Sequence, residues 1–558
     1  MVADGRQIAL EIVRLTPEGL GVGYDQGLVT FVPGLLPGET AKVVIQERKA
    51  RWQRGQCSEL LQTSTIRQEA PCPVFNMCGG CQLQHLQYSE TLLWKRCWVA
   101  DALQRIGKLG VEVAPVLGMD NPWRYRNKVR LHRIAGGLLG YFREKTHEPV
   151  HFDDCLLLSE RMNLWIKTTE GILRTQPDVP ELRKLTFREN PIGEGLLLLE
   201  TISSDGAAAP ALVKALSDVF AECLPGETGE QANEGEPTGW SNGTEGSSAR
   251  KTSRAGDRGI EGFSRAGEVR ETASGYGTAL GERSADDSFT GHGSSAGGGL
   301  SMGQGSRDEG SLSTGHGSKA EGGPARTREN ASGSSIGRGR GAADGLRAVW
   351  SATRQGKLHR LWGEEYFGVD ILGLRFQVSP AAFLQVNYEQ TARLYLKTIE
   401  WTALSGDEEV WDLYCGIGTL TLALARQAKA VVGVEENPSA VADARRNATM
   451  NGLDNAAFYT GRVEDIISSL PGRPDVIVLD PPRAGADRRV LDRIIQLGPA
   501  RVVYVSCDPG TLARDLAILH SGGYSLIKVQ PVDMFPWTGH VETIVRLERK
   551  HTTIYSAP

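Results

Sequence analysis

The sequence predicts an α/β protein: a doubly wound, parallel-sheet domain preceded by a small all-β barrel and a central α+β domain. Two patterns carry that expectation. From about residue 410, near-continuous apolar runs ("EEVWDLYCG", "AVVGVEEN", "DVIVLDPP", "RVVYVSCDP") alternate with helical segments, and each run ends in polar, Gly or Pro residues. Strands that are apolar on both faces belong in a parallel sheet covered by helices, with ligands at the carboxyl ends of the strands. Over residues 7–61 the runs are short and alternating ("IALEIVRL", "GLVTFVPG", "TAKVVIQERK", "GQCSELL") and are separated by Gly/Pro turns. That pattern fits a barrel of the OB type.

At 558 residues the chain exceeds what one core can hold. "MVADGRQIAL" is not a cationic-apolar leader, and no apolar run is long enough to span a bilayer, so the expected compartment is the cytoplasm, with no membrane partner. Nine cysteines in such a compartment point to metal or catalysis rather than disulfides. Residues 226–345 hold 30 of the 67 glycines, with 17 acidic and 13 basic residues and almost no large aliphatics. This segment is expected to be a disordered, solvated insert, because it cannot bury enough apolar surface to offset its chain entropy. Without it the net charge of −5 shrinks to 50 acids against 49 bases, which no longer argues against a nucleic-acid partner. The expected organisation is a barrel over 1–62, a central domain over 63–225 and 346–378 interrupted by the insert, and the α/β domain over 379–558.

Taken in order, the barrel is followed by "PCPVFNMCGGCQLQH", where Cys72, Cys78 and Cys81 form C-x5-C-x2-C and Cys155 offers a fourth thiol. Four thiolates bind zinc or an iron–sulfur cluster, and spacing does not separate the two; a Cys78–Cys81 redox pair, or free thiols, is the bland alternative. Cys57, Cys97 and Cys223 have no evident role. Residues 123–147 contain seven Lys/Arg against one Glu. Arg124, Arg126, Lys128 and Arg130 alternate with Trp123, Tyr125, Asn127 and Val129, so a strand here would align the bases on one face. Such a face is either solvated or turned toward RNA.

In the α/β domain, "DLYCGIGTLTLALA" reads as strand, Gly-x-Gly turn (Gly416, Gly418) and helix, with Glu435 at the next strand tip, 19 residues beyond Gly416. That spacing suits an acid taking ribose hydroxyls. The third glycine of a dinucleotide fingerprint is missing, which favours an adenosyl ligand, S-adenosylmethionine, over a pyrophosphate cradle. A glycine turn needed only for close packing is the competing explanation. Cys507 ends another strand, with Asp508 at an N-cap and Pro509 at N1 of the following helix. A helix N-terminus beside a thiol favours the nucleophilic thiolate, although a packed core thiol is an equal alternative.

Four ordered motifs, "AFLQVN", "LDPPRAG", "VSCDPGTLARDL" and "DMFPWTGHVET", resemble the RNA (uracil-5-)-methyltransferases. The resemblance covers nearly all of the chain outside the insert and matches residues 7–61 to a TRAM domain, an OB-like RNA-binding barrel. It implies a Rossmann-like methyltransferase domain that makes 5-methyluridine in RNA, first of all 23S ribosomal RNA, with tRNA as the alternative substrate and no protein partner. It further implies that Cys507 is the nucleophile and Glu542 the general base. Gln385, Tyr414, Glu435 and Asp480 would form the cofactor site, with Thr419 and Arg462 at further positions around it. The cysteine pattern of the family implies a [4Fe-4S] cluster on Cys72, Cys78, Cys81 and Cys155. Without the family, Glu542 reads as an edge-strand surface residue. Two rival readings are an amino-group methyltransferase using "DPP", which needs no cysteine, and a non-catalytic iron–sulfur RNA-binding or redox-sensing protein.

Overall fold

The computed structural model describes residues 5–175, 182–202, 210–221 and 345–550. The expected insert, apart from Gly345, lies outside the described residues. At the N-terminus, β1 (Gln7–Leu15), β2 (Leu20–Asp25), β3 (Leu28–Pro33), β4 (Thr40–Arg48) and β5 (Trp52–Gln62) close into a barrel in the order β1-β2-β3-β5-β4. Alternate residues Leu10, Ile12, Val43 and Ile45 fill its core. The sequence runs had missed β2, whose glycines weaken its strand pattern. They answer to close approach: a Cβ on Gly21 or Gly23 would stand 2.6 Å and 2.3 Å from the carbonyl oxygens of Leu35 and Glu11.

Helix α1 (Tyr88–Arg105) follows, and then β6 (Lys128–Arg133), β7 (Leu139–Phe142), β8 (Pro149–His151), α2 (Glu160–Thr175), β9 (Leu182–Glu189), β10 (Gly195–Thr201), α3 (Pro210–Ala221), β11 (Leu346–Ala352) and β12 (Leu358–Gly363). The seven strands form one sheet in the order β12-β11-β10-β9-β6-β7-β8. Trp165 of α2 and Leu212 and Leu216 of α3 share a core with Phe187 and Leu197 of the sheet. One expectation fails here. The strand in 123–147 begins only at Lys128, because Arg124 has φ +57° and breaks the extended run. Arg124 is held by Asp154 and Arg130 by Glu200, so the bases do not form a free cationic stripe. Burial and the neighbouring arginines Arg188 and Arg130 also push the Lys128 ammonium down to about 7.

The remaining elements are the hairpin β13 (Phe367–Ile371) and β14 (Leu374–Val378), α4 (Tyr388–Thr402), β15 (Glu409–Leu413), α5 (Thr419–Ala425), β16 (Ala430–Glu435), α6 (Pro438–Met450), β17 (Ala456–Thr460), α7 (Val463–Ile466), β18 (Val476–Leu479), α8 (Arg488–Leu497), β19 (Arg501–Ser506), α9 (Pro509–Ser521), β20 (Tyr524–Val532) and β21 (Glu542–Arg549). The sheet runs β17-β16-β15-β18-β19-β21-β20, with β15 to β19 parallel and the order reversing between β15 and β18. Period two divides its residues between two cores: Val476 and Val478 face one, Ile477 and Leu479 the other. Val99 and Leu103 of α1 join the second core beside Leu512 and Leu516 of α9. The edge-strand reading of Glu542 is corrected: β21 lies inside the sheet, paired with both β19 and β20. The edge is β20, where Pro531 and the bulge between Leu526 and Lys528 are tolerated. Among the described residues no helix is long and apolar enough to cross a membrane.

Candidate active site

Beyond β15 the chain turns through Tyr414 (φ +69°), Gly416 (φ +57°) and Gly418 (φ +82°) before entering α5. Gly418 is needed for space as well as for φ, since a Cβ there would stand 3.1 Å from the Phe458 ring. The carboxylate of Glu435, at the tip of β16, accepts from the backbone N–H groups of Gly416 (3.1 Å) and Asn437 (2.9 Å). The turn borders a cleft of about 910 Å³ at the switch point of the sheet, lined by Tyr414, Glu435, Arg462 and Asp480. Its other acids, Glu436, Glu464, Asp487 and Asp515, outnumber the cations Arg462, Arg488 and Arg514, and Arg462 is paired with Glu464. Such a cleft suits hydroxyl donors and a cationic ligand better than a pyrophosphate. Gln385 and Thr419 do not line it. Gln385 is buried, its carbonyl accepting from Asn127 Nδ2 (3.1 Å), and the Thr419 hydroxyl meets the Tyr395 hydroxyl at 3.0 Å. Phe383, 68% exposed and not singled out from the sequence, reaches the cleft in their place.

Cys507 directly follows β19, and Glu542 opens β21. The antiparallel register pairs Ser506 with Thr543, which sets the two functional candidates side by side. Glu542 is 4% exposed. Burial, reinforced by the charge of Asp480, pushes its carboxyl up to about 8. Burial first, and then Asp412, raises Asp480 to about 7. The expected thiolate is not the resting form of Cys507: burial, with Glu542 and Asp480 nearby, raises its thiol to about 11. The cap does form as expected, but Asp508 spends its carboxylate on the Thr511 N–H (2.8 Å) and adds negative charge at the helix start. Arg483 is the cation that opposes these shifts at both Cys507 and Glu542. Its Nη2 lies 3.0 Å and 3.2 Å from the two ring nitrogens of His540. Arg483 and His540 sit inside the motifs "LDPPRAG" and "TGHVET", yet their separation of 57 positions hid the pairing.

Cys72, Cys78, Cys81 and Cys155 line one small cavity, together with Arg126, Tyr141 and Phe152. All four are free thiols. The backbone N–H of Gly80 donates to Cys78 Sγ (3.4 Å), and that of Cys155 to Asn163 Oδ1 (2.9 Å). Among the described residues, no group of three or more His, Cys, Asp or Glu is set as the ligands of a metal ion. The cysteine segment also reaches the catalytic side: the N–H groups of Gln82 and Leu83 both donate to the Trp537 carbonyl at 3.0 Å.

Residues 404–528 match a family model described as a methyltransferase domain. Over 552 residues the chain is 33% identical to an RNA methyltransferase of Halalkalibacterium halodurans, named as uncharacterized, with 98% of this chain and 97% of the relative covered. A likewise named protein of Listeria innocua is 31% identical over 567 residues, covering 99% of each chain. Among solved structures, the Pyrococcus abyssi tRNA (uracil-54, C5)-methyltransferase in complex with S-adenosyl-L-homocysteine aligns with a TM-score of 0.59. That alignment covers 97% of this chain and 100% of the other at 21% identity, and shows a shared fold.

Proposed function

The chain belongs to the RNA methyltransferases, and from that premise we propose that it methylates C5 of a uridine in RNA, with S-adenosylmethionine as donor, through a covalent bond between Cys507 and C6 of the base. The observation that carries the reading is the register of β19 on β21, which sets a nucleophile beside a buried base; the charge of Asp480, which lines the acidic cleft, acts on both. S-adenosylmethionine supplies an electrophilic methyl group when bound; Tyr414, Glu435 and Asp480 line the cleft that would hold it. C5 of uracil is a weak nucleophile. Cys507 loses its proton to solvent, and addition of the resulting thiolate at C6 pushes the ring electrons toward C5 and so activates it. Once C5 carries the methyl group, its remaining proton passes to the ionised form of Glu542, which grows in population as pH rises toward about 8, the C6–S bond breaks and the thiolate leaves. Arg483 provides positive charge beside the thiol as it ionises. The base must leave its stack to reach Cys507.

The same reading gives Cys72, Cys78, Cys81 and Cys155 a [4Fe-4S] cluster. The donor set fits: four free sulfurs around one cavity, with the Arg126 guanidinium beside them to offset thiolate charge. A [4Fe-4S] cluster takes one thiolate per iron, so the four sulfurs around this cavity match its ligand count. Its contribution would be to tie the cysteine segment to the strand ends, since methyl transfer is not a redox reaction. Anaerobically purified protein should carry about four irons per chain; stoichiometric zinc in place of iron would overturn this assignment.

The first RNA to test is 23S ribosomal RNA. A second reading, tRNA, is favoured by the substrate of the Pyrococcus abyssi enzyme. Unmodified transcripts of both should be incubated with methyl-labelled cofactor and digested for mass spectrometry. Label in 5-methyluridine, lost in Cys507→Ala, is the expected result. Label on an exocyclic amino group, retained in Cys507→Ala, would refute the proposal in favour of an amino-group methyltransferase.

A further inference from the structure

Cys507 does not open into the cofactor cleft. It opens into a second cavity of about 340 Å³, lined by Arg483 and His540, by Pro17 and Glu18 of the turn joining β1 to β2 of the barrel, and by two further acids, Glu144, which is paired with Lys145, and Asp508, which caps α9. That turn is wedged against the catalytic loop. A Cβ on Gly539 would stand 1.7 Å from the Pro17 carbonyl oxygen, and one on Gly19 would stand 2.8 Å from that of Gln82. No side chain fits between the barrel turn and the segment that leads into Glu542.

Glu18 is exposed at this cavity, and no hydrogen bond or ion pair holds its carboxylate among the described residues. A carboxylate repels the phosphates of an RNA, so its place beside the nucleophile calls for a donor on a base. Base edges offer N–H donors that Glu and Asp accept from. Uracil carries a single ring N–H, at N3, flanked by two carbonyl acceptors, which complements a carboxylate and a guanidinium that line one cavity.

Resting on the reading of this cavity as the seat of the target uridine, we propose that Glu18 is a specificity-determining residue. Its carboxylate accepts from N3–H of the uracil while Arg483 donates to a ring carbonyl, so the barrel turn is a wall of the active site. Cytosine, with a bare acceptor at N3, is refused by the same carboxylate.

The test compares wild type, Glu18→Gln and Glu18→Ala on the transcript that wild type methylates and on the same transcript with its mapped uridine replaced by cytidine. Both variants should lose about 10- to 100-fold in kcat/KM on the uridine transcript, with melting temperature and cofactor Kd unchanged. Glu18→Gln, which can donate to N3 of cytosine, should also narrow the uridine-to-cytidine preference. Gly539→Ala, which displaces the turn, should lower kcat/KM in the same sense without altering cofactor Kd. A Glu18→Gln protein with wild-type or faster turnover and tighter RNA binding would mark a carboxylate that merely repels phosphate, and would sink the proposal alone. A wild type that makes no 5-methyluridine on either RNA would sink the underlying reading, and this proposal with it.

Discussion

At Glu542, chemistry and stability can be tested on one side chain. Nucleophilic addition and methylation do not need the base, whereas elimination cannot begin until the C5 proton has left. Glu542→Gln should therefore accumulate an RNA–protein adduct that already carries the methyl group and survives a denaturing gel. Cys507→Ala should form none, and the double variant should behave like Cys507→Ala; free 5-methyluridine at the wild-type rate from Glu542→Gln would end its candidacy. The same burial makes a thermodynamic prediction. With its carboxyl raised from 4.5 to about 8, Glu542 favours the folded state when protonated. That contribution is fully present below about 4.5 and is lost as pH rises through about 8. Relative to wild type, Glu542→Gln should gain several degrees in melting temperature between about pH 5 and about pH 8. Parallel pH curves for the two proteins would count against a buried, raised carboxyl.

At the scale of elements, the segment between β20 and β21 is anchored by α1. Lys95 and Asp533 form a fully buried ion pair, Tyr88 donates to the same Asp533 carboxylate (2.8 Å), and Lys95 donates to the Phe535 carbonyl (3.0 Å). The Trp537 ring stacks on Trp123 with centroids 4.4 Å apart, and its indole N–H donates to the Pro122 carbonyl (3.0 Å). Together these contacts hold the approach to His540 and Glu542 against helix and loop. Removing one partner of a buried pair strands the other charge, which costs about 3–5 kcal/mol. Lys95→Met should lose stability of that order in denaturant unfolding, and Lys95→Met/Asp533→Asn should recover part of it. A loss under about 1 kcal/mol would mean the pair is not held out of water.

For the whole molecule, the long Gly-rich segment interrupts a unit that is closed by its neighbours: α3 packs on β11, the element that follows the segment. Replacing 226–345 with a short Gly/Ser linker should leave melting temperature and methyl transfer within about twofold of wild type. A folded deletion protein that binds cofactor normally but loses RNA turnover would assign the segment a role in RNA binding. The basic stretch at 123–147 is a weaker candidate for that role than its composition promised. Arg124 and Arg130 are spent on Asp154 and Glu200, and Arg126 faces the four cysteines.

The amino-acid sequence alone determined the features that are local. Apolar runs marked the parallel strands, Asp508 and Pro509 marked the start of α9, and the Gly-x-Gly turn marked the mouth of the cleft, because face periodicity, capping and positive φ depend on neighbours a few residues away. The sequence also placed Cys507 and Glu435 at strand ends. Only the tertiary structure decided that β21 runs inside the sheet, that Glu542 is therefore buried beside Cys507, that Arg483 meets His540, and that Glu18 looks into the same cavity as the nucleophile. The thiol of Cys507 makes the division plain. Its cap was readable from three residues, but its protonation is decided by burial and by two carboxylates from other strands. Desolvation and charge act through space, and the chain encodes those distances only once its distant segments have met.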